Sequence, residues 1–333
     1  METEQAHSSR TYPSGRKALG SDALGSDATL RRPLVADRND GASRHLRTAQ
    51  RAVPTKYGTP LVWLNLVCLD APLVSITWLW LFARTFHAMV DPINYAALFL
   101  TAWLIYLADR LADSRSLPDD ATRSWRHEFC LRHQRSWLGA LVLIAVVDTV
   151  ILRNGIGAEI ALAGGVVGAL TLLHLLLNYS LGGAWPPLPL KEFAVGFLFA
   201  SGTLVALFPV LRPITAAIAL SAIAFAGLCT LNCLSIAFWE RELDVVQGKV
   251  SFATWFPGLN SHLGKLSLVF GLCSGVVAII FREAAPIFAC VTVSSFLLAS
   301  LDHSRERIGQ DQRTALADLC LLTPVLVLLA SKM

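Results

Sequence analysis

Residues 214–249 read ITAAIALSAIAFAGLCTLNCLSIAFWERELDVVQGK, a long apolar run that ends in two acidic residues, and this pattern decides the fold. The apolar part, 214–238, is longer than the roughly 20 residues that an α-helix needs to cross the hydrocarbon core of a membrane. Glu240 and Asp244 follow it, and their i, i+4 spacing places both carboxylates on one face of the helix. The segment therefore predicts a membrane-spanning helix that carries two acids at its end.

The same pattern occurs earlier in the chain, in WLIYLADRLADSR, residues 103–115. Asp109 and Asp113 share a helix face there, again at the end of an apolar run. Carboxylates near a membrane are expensive to keep and are usually functional, and paired carboxylates suggest metal binding. Two such pairs after corresponding helices indicate a loose internal duplication and are the main functional signal of the sequence.

The composition places the chain in the membrane class. Hydrophobic residues make up 54%, charged residues 16%, and the mean hydropathy is +0.53, whereas soluble domains have about 25% charged residues. The seven cysteines contain no CxxC pair and are interpreted as packing residues. We expect an all-α integral membrane bundle of about nine transmembrane helices in residues 56–333, preceded by a disordered basic tail in 1–55. The expected spans are 61–83, 92–108, 136–152, 156–178, 193–211, 214–238, 263–281, 285–301 and 315–331.

The distribution of basic residues predicts the orientation. With nine spans, 23 of the 28 Lys and Arg residues fall on the side of the N-terminal tail and five on the other side. Without the tail the ratio is still 13 to five. The positive-inside rule then places the N-terminus and both acidic pairs in the cytoplasm, in the inner membrane if the cell is bacterial.

Four carboxylates that converge on one cavity repel one another unless cations neutralise them. Hard oxygen ligands of this kind suit Mg²⁺, which keeps several waters and accepts phosphate oxygens. The acidic pairs therefore suggest a bound diphosphate, and the surrounding membrane suggests that this diphosphate is attached to an apolar chain.

These motifs resemble those of the UbiA superfamily of intramembrane prenyltransferases. That family's first motif is NxxxDxxxD, and this chain has Ile105, Asp109 and Asp113 at those positions. Its second motif is DxxxD followed by a glycine and a lysine, which correspond to Glu240, Asp244, Gly248 and Lys249. The resemblance covers about residues 55–331, with Ile in place of the Asn and Glu in place of the first Asp of the second motif.

The resemblance implies a magnesium-dependent transfer of an isoprenyl group from an isoprenyl diphosphate to an aromatic or other lipophilic acceptor. Asp109, Asp113, Glu240 and Asp244 would hold Mg²⁺ and act as the catalytic set. The phosphate charge would be shared by basic residues, namely Lys191, Arg110, Arg241 and Lys249. The cavity candidates are Tyr106, Asn232 and Phe238. The expected partners are the isoprenyl diphosphate, the acceptor and membrane lipid, with no nucleic acid.

Two other classes stay open at the level of sequence. One is a cation-coupled transporter whose acidic pairs bind cations during transport. Transporters often have broken helices at the membrane midplane, whereas these acids cluster at helix ends on one side, which favours the enzyme. The other is a noncatalytic relative that keeps the fold. Asp70 and Asp148 are further intramembrane acids and functional candidates by default. The loop RSWRHEFCLRHQR, with His127 and His133, is expected to cover the site or to bind lipid headgroups.

Overall fold

A computed structural model describes residues 60–117, 123–180 and 190–330, and these residues form helices without any strand. The expected tail, 1–55, lies outside the described residues. The α-helices, numbered in chain order, are α1 Pro60–Leu66, α2 Asp70–Thr85, α3 Pro92–Ser116, α4 Trp125–Arg132, α5 Gln134–Gly155, α6 Ala158–Ser180, α7 Lys191–Leu204, α8 Ala216–Val246, α9 Phe252–Trp255, α10 Leu263–Ile280, α11 Ala285–His303, α12 Gln310–Leu319 and α13 Pro324–Ala330. Short 3₁₀ turns, Val205–Leu207, Pro257–His262 and Arg282–Ala284, precede or follow some of them.

Six of the helical segments in the described part are long and apolar enough to cross a membrane, or seven if α12 and α13 are counted as one bent span. The chain is thus a multi-pass membrane protein by the length and composition of its helices. The expected count of nine is not confirmed. Three expected spans account for the difference: 61–83, 193–211 and 315–331.

Each of these three segments is interrupted or short. The first is divided between α1 and the 16-residue α2, with Cys68 in the left-handed region at φ 57°. The second has only the 14 helical residues of α7 before its 3₁₀ turn. The third bends by 50° between α12 and α13. Hydropathy alone finds these apolar runs but does not detect where the helical hydrogen bonding stops.

Two tryptophans satisfy backbone carbonyls at the interruptions. The indole N–H of Trp103 donates to the carbonyl of Val67 at 3.0 Å, between α1 and α2. The indole N–H of Trp78 donates to the carbonyl of Leu321 at 2.7 Å, between α12 and α13. Broken helices are tolerated at membrane depth only where the freed polar groups find partners inside the protein. These two side chains therefore allow the chain to bend there.

The main core lies where α2, α7, α8 and α11 meet. The rings of Trp78 and Phe225 stack with centroids 4.4 Å apart, and Phe82 packs beside them. Ile287 and Val291 of α11 complete this buried cluster. In contrast, α6 has no buried side chain among its described residues. This helix forms an outer wall and exposes leucines and valines of the kind that suit lipid contact.

The contact between α7 and α8 depends on a glycine. A Cβ added to Gly196 would lie 2.6 Å from the backbone nitrogen and 2.8 Å from the Cα of Thr230. Gly202, two turns later on the same helix, has only the side chain of Val167 nearby, at 3.8 Å. Small residues at membrane helix contacts let backbones approach closely, and Gly196 serves this purpose.

We expect Gly196→Ala to lower the unfolding free energy by about 1–3 kcal/mol, because the added methyl forces α7 away from the backbone of α8. The measurement is the thermal unfolding midpoint in detergent, followed by tryptophan fluorescence. Gly202→Ala is the matched control and should leave the midpoint unchanged or raise it slightly. Equal midpoints for the two variants would contradict the close α7–α8 contact.

Candidate functional site

The structure brings the two acidic motifs together at one end of the bundle. Asp113 from the end of α3 accepts a hydrogen bond from the Nζ of Lys249, which follows α8, at 2.6 Å. A residue of the first motif therefore contacts the lysine of the second. We call this end, with Asp109, Asp113, Glu240 and Asp244, the acidic end.

Gly248 positions Lys249 for this contact. The N–H of Gly248 donates to the carbonyl of Val245 at 3.2 Å, and the N–H of Lys249 donates to that of Asp244 at 2.8 Å. These two bonds form a Schellman motif, which requires a left-handed residue after the helix, and Gly248 has φ 66°. The glycine thereby reverses the chain at the end of α8 and directs Lys249 toward α3.

The short helix α4 supplies two more links. The Nη2 of Arg126 donates to Oε2 of Glu240 at 2.5 Å. The Nε2 of His127 lies 2.9 Å from Oδ2 of Asp113, and its Nδ1 lies 3.0 Å from the hydroxyl of Ser124. A single eight-residue helix thus contacts an acid of each motif. The sequence marks this loop as basic and as a cover for the site, and it draws attention to His127, but it does not single out Arg126.

The remaining acids have different partners. Tyr179 of α6 donates its hydroxyl hydrogen to Oδ1 of Asp109 at 2.8 Å. Thr314 of α12 donates to Oε1 of Glu240 at 3.0 Å. Lys191 at the start of α7 places positive charge near Asp244. Basic and hydroxyl groups therefore alternate with the carboxylates, which offsets the repulsion among like charges.

A cavity of about 570 Å³ adjoins the acidic end, and its walls are mostly apolar. Asp109 belongs both to the acidic end and to the cavity wall. Tyr106 and Asn232, expected near the site, also line it, as does Ile105 at the place of the missing asparagine. A compartment of this size, with few polar groups, is typical of a site for a lipophilic small molecule.

Three of the expected residues lie elsewhere or make no such contact. Phe238 packs with Phe252 and Leu263 in a separate cluster and is not part of the cavity wall. Arg110 is 6% exposed, with its guanidinium 5.4 Å from the ring centre of Tyr106, and it makes no ion pair with the four acids among the described residues. Arg241 makes no ion pair with the four acids in the described part of the chain.

The four carboxylates of the acidic end are chemically suitable ligands for Mg²⁺, but they do not form one preformed metal site. Among the described residues, no three His, Cys, Asp or Glu side chains lie close enough to share an ion. Proteins usually bind Mg²⁺ through one or two carboxylates together with waters and substrate phosphates. The two acidic pairs fit that mode, in which the substrate completes the coordination.

No protein-family model, curated protein or solved structure matches this chain at a significant level.

Burial lowers the pKa of His127 below its usual value near 6.5, and the positive charge of Arg126 acts in the same direction, while Asp113 opposes them in part. The imidazole is neutral at pH 7 in this setting, with its Nε2–H donated to Asp113 and its Nδ1 accepting from Ser124. The unfolded chain protonates this histidine first as the pH falls below about 6.5. Its contribution to stability is therefore present at neutral pH and is lost on acidification.

We expect the unfolding midpoint of the native protein to fall more between pH 7.5 and 5.5 than that of His127→Gln, which has no group to protonate. The comparison of midpoints at the two pH values tests this. His133→Gln removes an exposed histidine one residue after α4 and should keep the native pH dependence. The prediction fails if His127→Gln shows the same pH dependence as the native protein.

Proposed function

We propose that the protein is a divergent member of the UbiA superfamily and transfers an isoprenyl group from an isoprenyl diphosphate to a lipophilic acceptor within the membrane. One observation carries the proposal: an apolar cavity adjoins a cluster of alternating acids and bases to which both sequence motifs contribute. Such a cluster suits a diphosphate, and such a cavity suits the chain attached to it.

The ion pairs of the acidic end indicate how a diphosphate would be bound. Lys249 and Arg126 neutralise Asp113 and Glu240. Both bases become available for phosphate oxygens if a cation takes their place on the carboxylates, and Lys191 adds a third positive charge. Arg126 is the strongest candidate to bind two oxygens at once, because its guanidinium is planar and forked.

Asp109, Asp113, Glu240 and Asp244 are the residues that would hold Mg²⁺ in this proposal. When bound, Mg²⁺ would supply positive charge that stabilises the diphosphate as a leaving group. Breaking the allylic C–O bond leaves its electron pair on the diphosphate, and the acceptor then bonds to the allylic carbon and loses a proton. The apolar walls exclude water from this carbon, and the ring of Tyr106 can stabilise positive charge through its π face.

The experiment uses the full chain in liposomes with Mg²⁺ and labelled isoprenyl diphosphates of several lengths. We expect release of diphosphate that stops when a chelator is added. Asp109→Asn and Asp244→Asn should each lower the rate by about 100-fold, in the range found when one electrostatic group is removed from an active site. Glu242→Gln is the matched control, because Glu242 is an exposed acid on α8 between Glu240 and Asp244. No release by folded protein with any donor would reject the proposal, as would unchanged rates in both motif variants.

A second candidate function, cation-coupled transport, is favoured by one observation. The interruptions between α1 and α2 and between α12 and α13 lie beside two acids, the buried Asp70 and the half-buried Asp318. Transporters often build ion sites on interrupted helices. Cation uptake into liposomes that is abolished by Asp318→Asn, without any release of diphosphate, would favour this function.

We also propose that the N-terminus and the acidic end face the cytoplasm, with the protein in the inner membrane if the cell is bacterial. The bias of basic residues toward one side supports this orientation. The antiparallel pair of α3 and α5 gives a direct test, because Gly155 at the end of α5 lies against Ile93 at the start of α3. Ser116 and Asn154 therefore lie at opposite ends of the bundle.

In intact cells, an impermeant maleimide should label Asn154→Cys and should label Ser116→Cys only after the cells are opened. Both positions are exposed, so access to the reagent is governed by the membrane. The native chain, with its seven cysteines, sets the background. Labelling of Ser116→Cys but not of Asn154→Cys in intact cells would show that the protein has the opposite orientation.

A further inference from the structure

A second polar cluster lies apart from the ion pairs of the acidic end, at the two helix interruptions. Asn65 of α1 donates from Nδ2 to Oδ2 of Asp70 at 2.6 Å and to Oδ2 of Asp318 at 3.2 Å. Asn232 of α8 donates from its own Nδ2 to Oδ1 of Asp318 at 2.8 Å. Four side chains from α1, α2, α8 and α12 thus converge at one point. Neither sequence motif includes any of them.

This cluster reaches the cavity through two of its members, since Asp318 and Asn232 line the cavity wall. Asn232 is only 6% exposed, and its Oδ1 has no hydrogen-bond partner among the described residues. An unpaired carbonyl oxygen in an apolar surrounding is energetically unfavourable. A ligand that donates a hydrogen bond to this oxygen would therefore be bound favourably.

The unmet groups at this point are hydrogen-bond acceptors. Asn65 and Asn232 both donate from Nδ2 to carboxylates, which leaves the Oδ1 of Asn232 and the carboxylate oxygens as the acceptors of the cluster. Asn65 links the two carboxylates, since its Nδ2 donates both to Asp70 and to Asp318. The cluster therefore favours a ligand that donates hydrogen bonds.

The charge of the cavity wall excludes one class of ligand. The described residues that line it include two acids, Asp109 and Asp318, one histidine, His174, and no Lys or Arg. Arg110, whose guanidinium lies 5.4 Å from the ring centre of Tyr106, is not part of the wall. A carboxylate placed in this cavity would meet the like charge of the two acids without a Lys or Arg to compensate it.

We propose that Asp318 and Asn232 form the polar end of the acceptor subsite and select an uncharged lipophile that carries a hydroxyl group, against one that carries a carboxylate. The hydroxyl donates its hydrogen to Asp318 or to the free Oδ1 of Asn232, and the rest of the molecule lies against the apolar wall. This inference adds a class of substrate to the proposed transferase function. It rests on that function only because the bound molecule is called the acceptor. The binding site itself requires neither donor nor metal.

The test measures binding to the full chain in lipid nanodiscs at pH 7.5, without Mg²⁺ or any diphosphate. Three probes of matched size are used: 4-nonylphenol, its methyl ether 4-nonylanisole, and 4-nonylbenzoate. Empty nanodiscs give the partition into lipid. We expect saturable binding of the phenol and about tenfold weaker binding of the other two, since one hydrogen bond to a charged partner is worth about that ratio. Equal binding of the three probes, or no saturable binding of the phenol, overturns the proposal.

Two variants connect this selectivity to the named side chains. Asn232→Leu should weaken binding of the phenol about tenfold, so that it equals the binding of the methyl ether. Asp318→Asn should reduce the preference for the phenol over the benzoate about tenfold, because one negative charge is removed while an oxygen remains for Asn232. Asp148→Asn is the matched control, a buried acid that bonds Thr101 and lies outside the cavity wall. Unchanged probe ranking in both cluster variants also overturns the proposal.

The three probes are compared on the native protein, so a variant that fails to fold does not decide the outcome. Failure of this subsite and failure of the transferase proposal are also separate. Diphosphate release with equal probe binding rejects the subsite alone. Selective phenol binding without diphosphate release rejects the transferase alone.

Discussion

Repulsion between half-buried carboxylates is the constraint on which the acidic end depends. Asp113 offsets it by accepting hydrogen bonds from Lys249 and from His127, so that one side chain connects α3, α4 and the residues after α8. Glu240 connects α4 and α12 in the same way, through Arg126 and Thr314. Segments distant in sequence are thus held together by polar contacts.

The same neutralisation gives the site its chemical character. A cluster of acids alone would bind cations, and a cluster of bases alone would bind anions. An alternating set can accept a cation and an anion together, because each released side chain gains a new partner. This property fits the proposed binding of a metal–diphosphate pair better than it fits a single ion.

Much of the fold is visible in the sequence because long apolar runs report membrane helices directly. The runs that became α3, α5, α6, α8, α10 and α11 need no tertiary information. The interruptions do need it, since the carbonyls of Val67 and Leu321 depend on Trp103 and Trp78, which are distant in the chain. A hydropathy profile contains no trace of these bonds, and two expected spans, 61–83 and 315–331, differ for this reason.

Some features of the site are likewise visible in the sequence, and others depend on tertiary structure. The acid pairs are recognisable because the i, i+4 spacing is local, and the structure places Asp113 beside Lys249. Arg126 was not distinguishable among the other basic residues of its loop, because its role comes from the position of α4. Asp318 is a lone acid in an apolar run, and that isolation is the signal by which a search of the sequence would find it. The direction of Phe238, away from the cavity, follows from its packing against Phe252, a contact between α8 and α9.

The outer wall of the cavity, formed by α6, contains several residues without a side chain. Gly164, Gly165 and Gly168 of α6 line the cavity, and α6 buries no side chain of its own among the described residues. A larger residue at one of these glycines would narrow the compartment while disturbing little of the packing that holds the bundle together. The volume available to a substrate can therefore change during evolution almost independently of folding, and relatives with this scaffold can diverge in the size of molecule they admit.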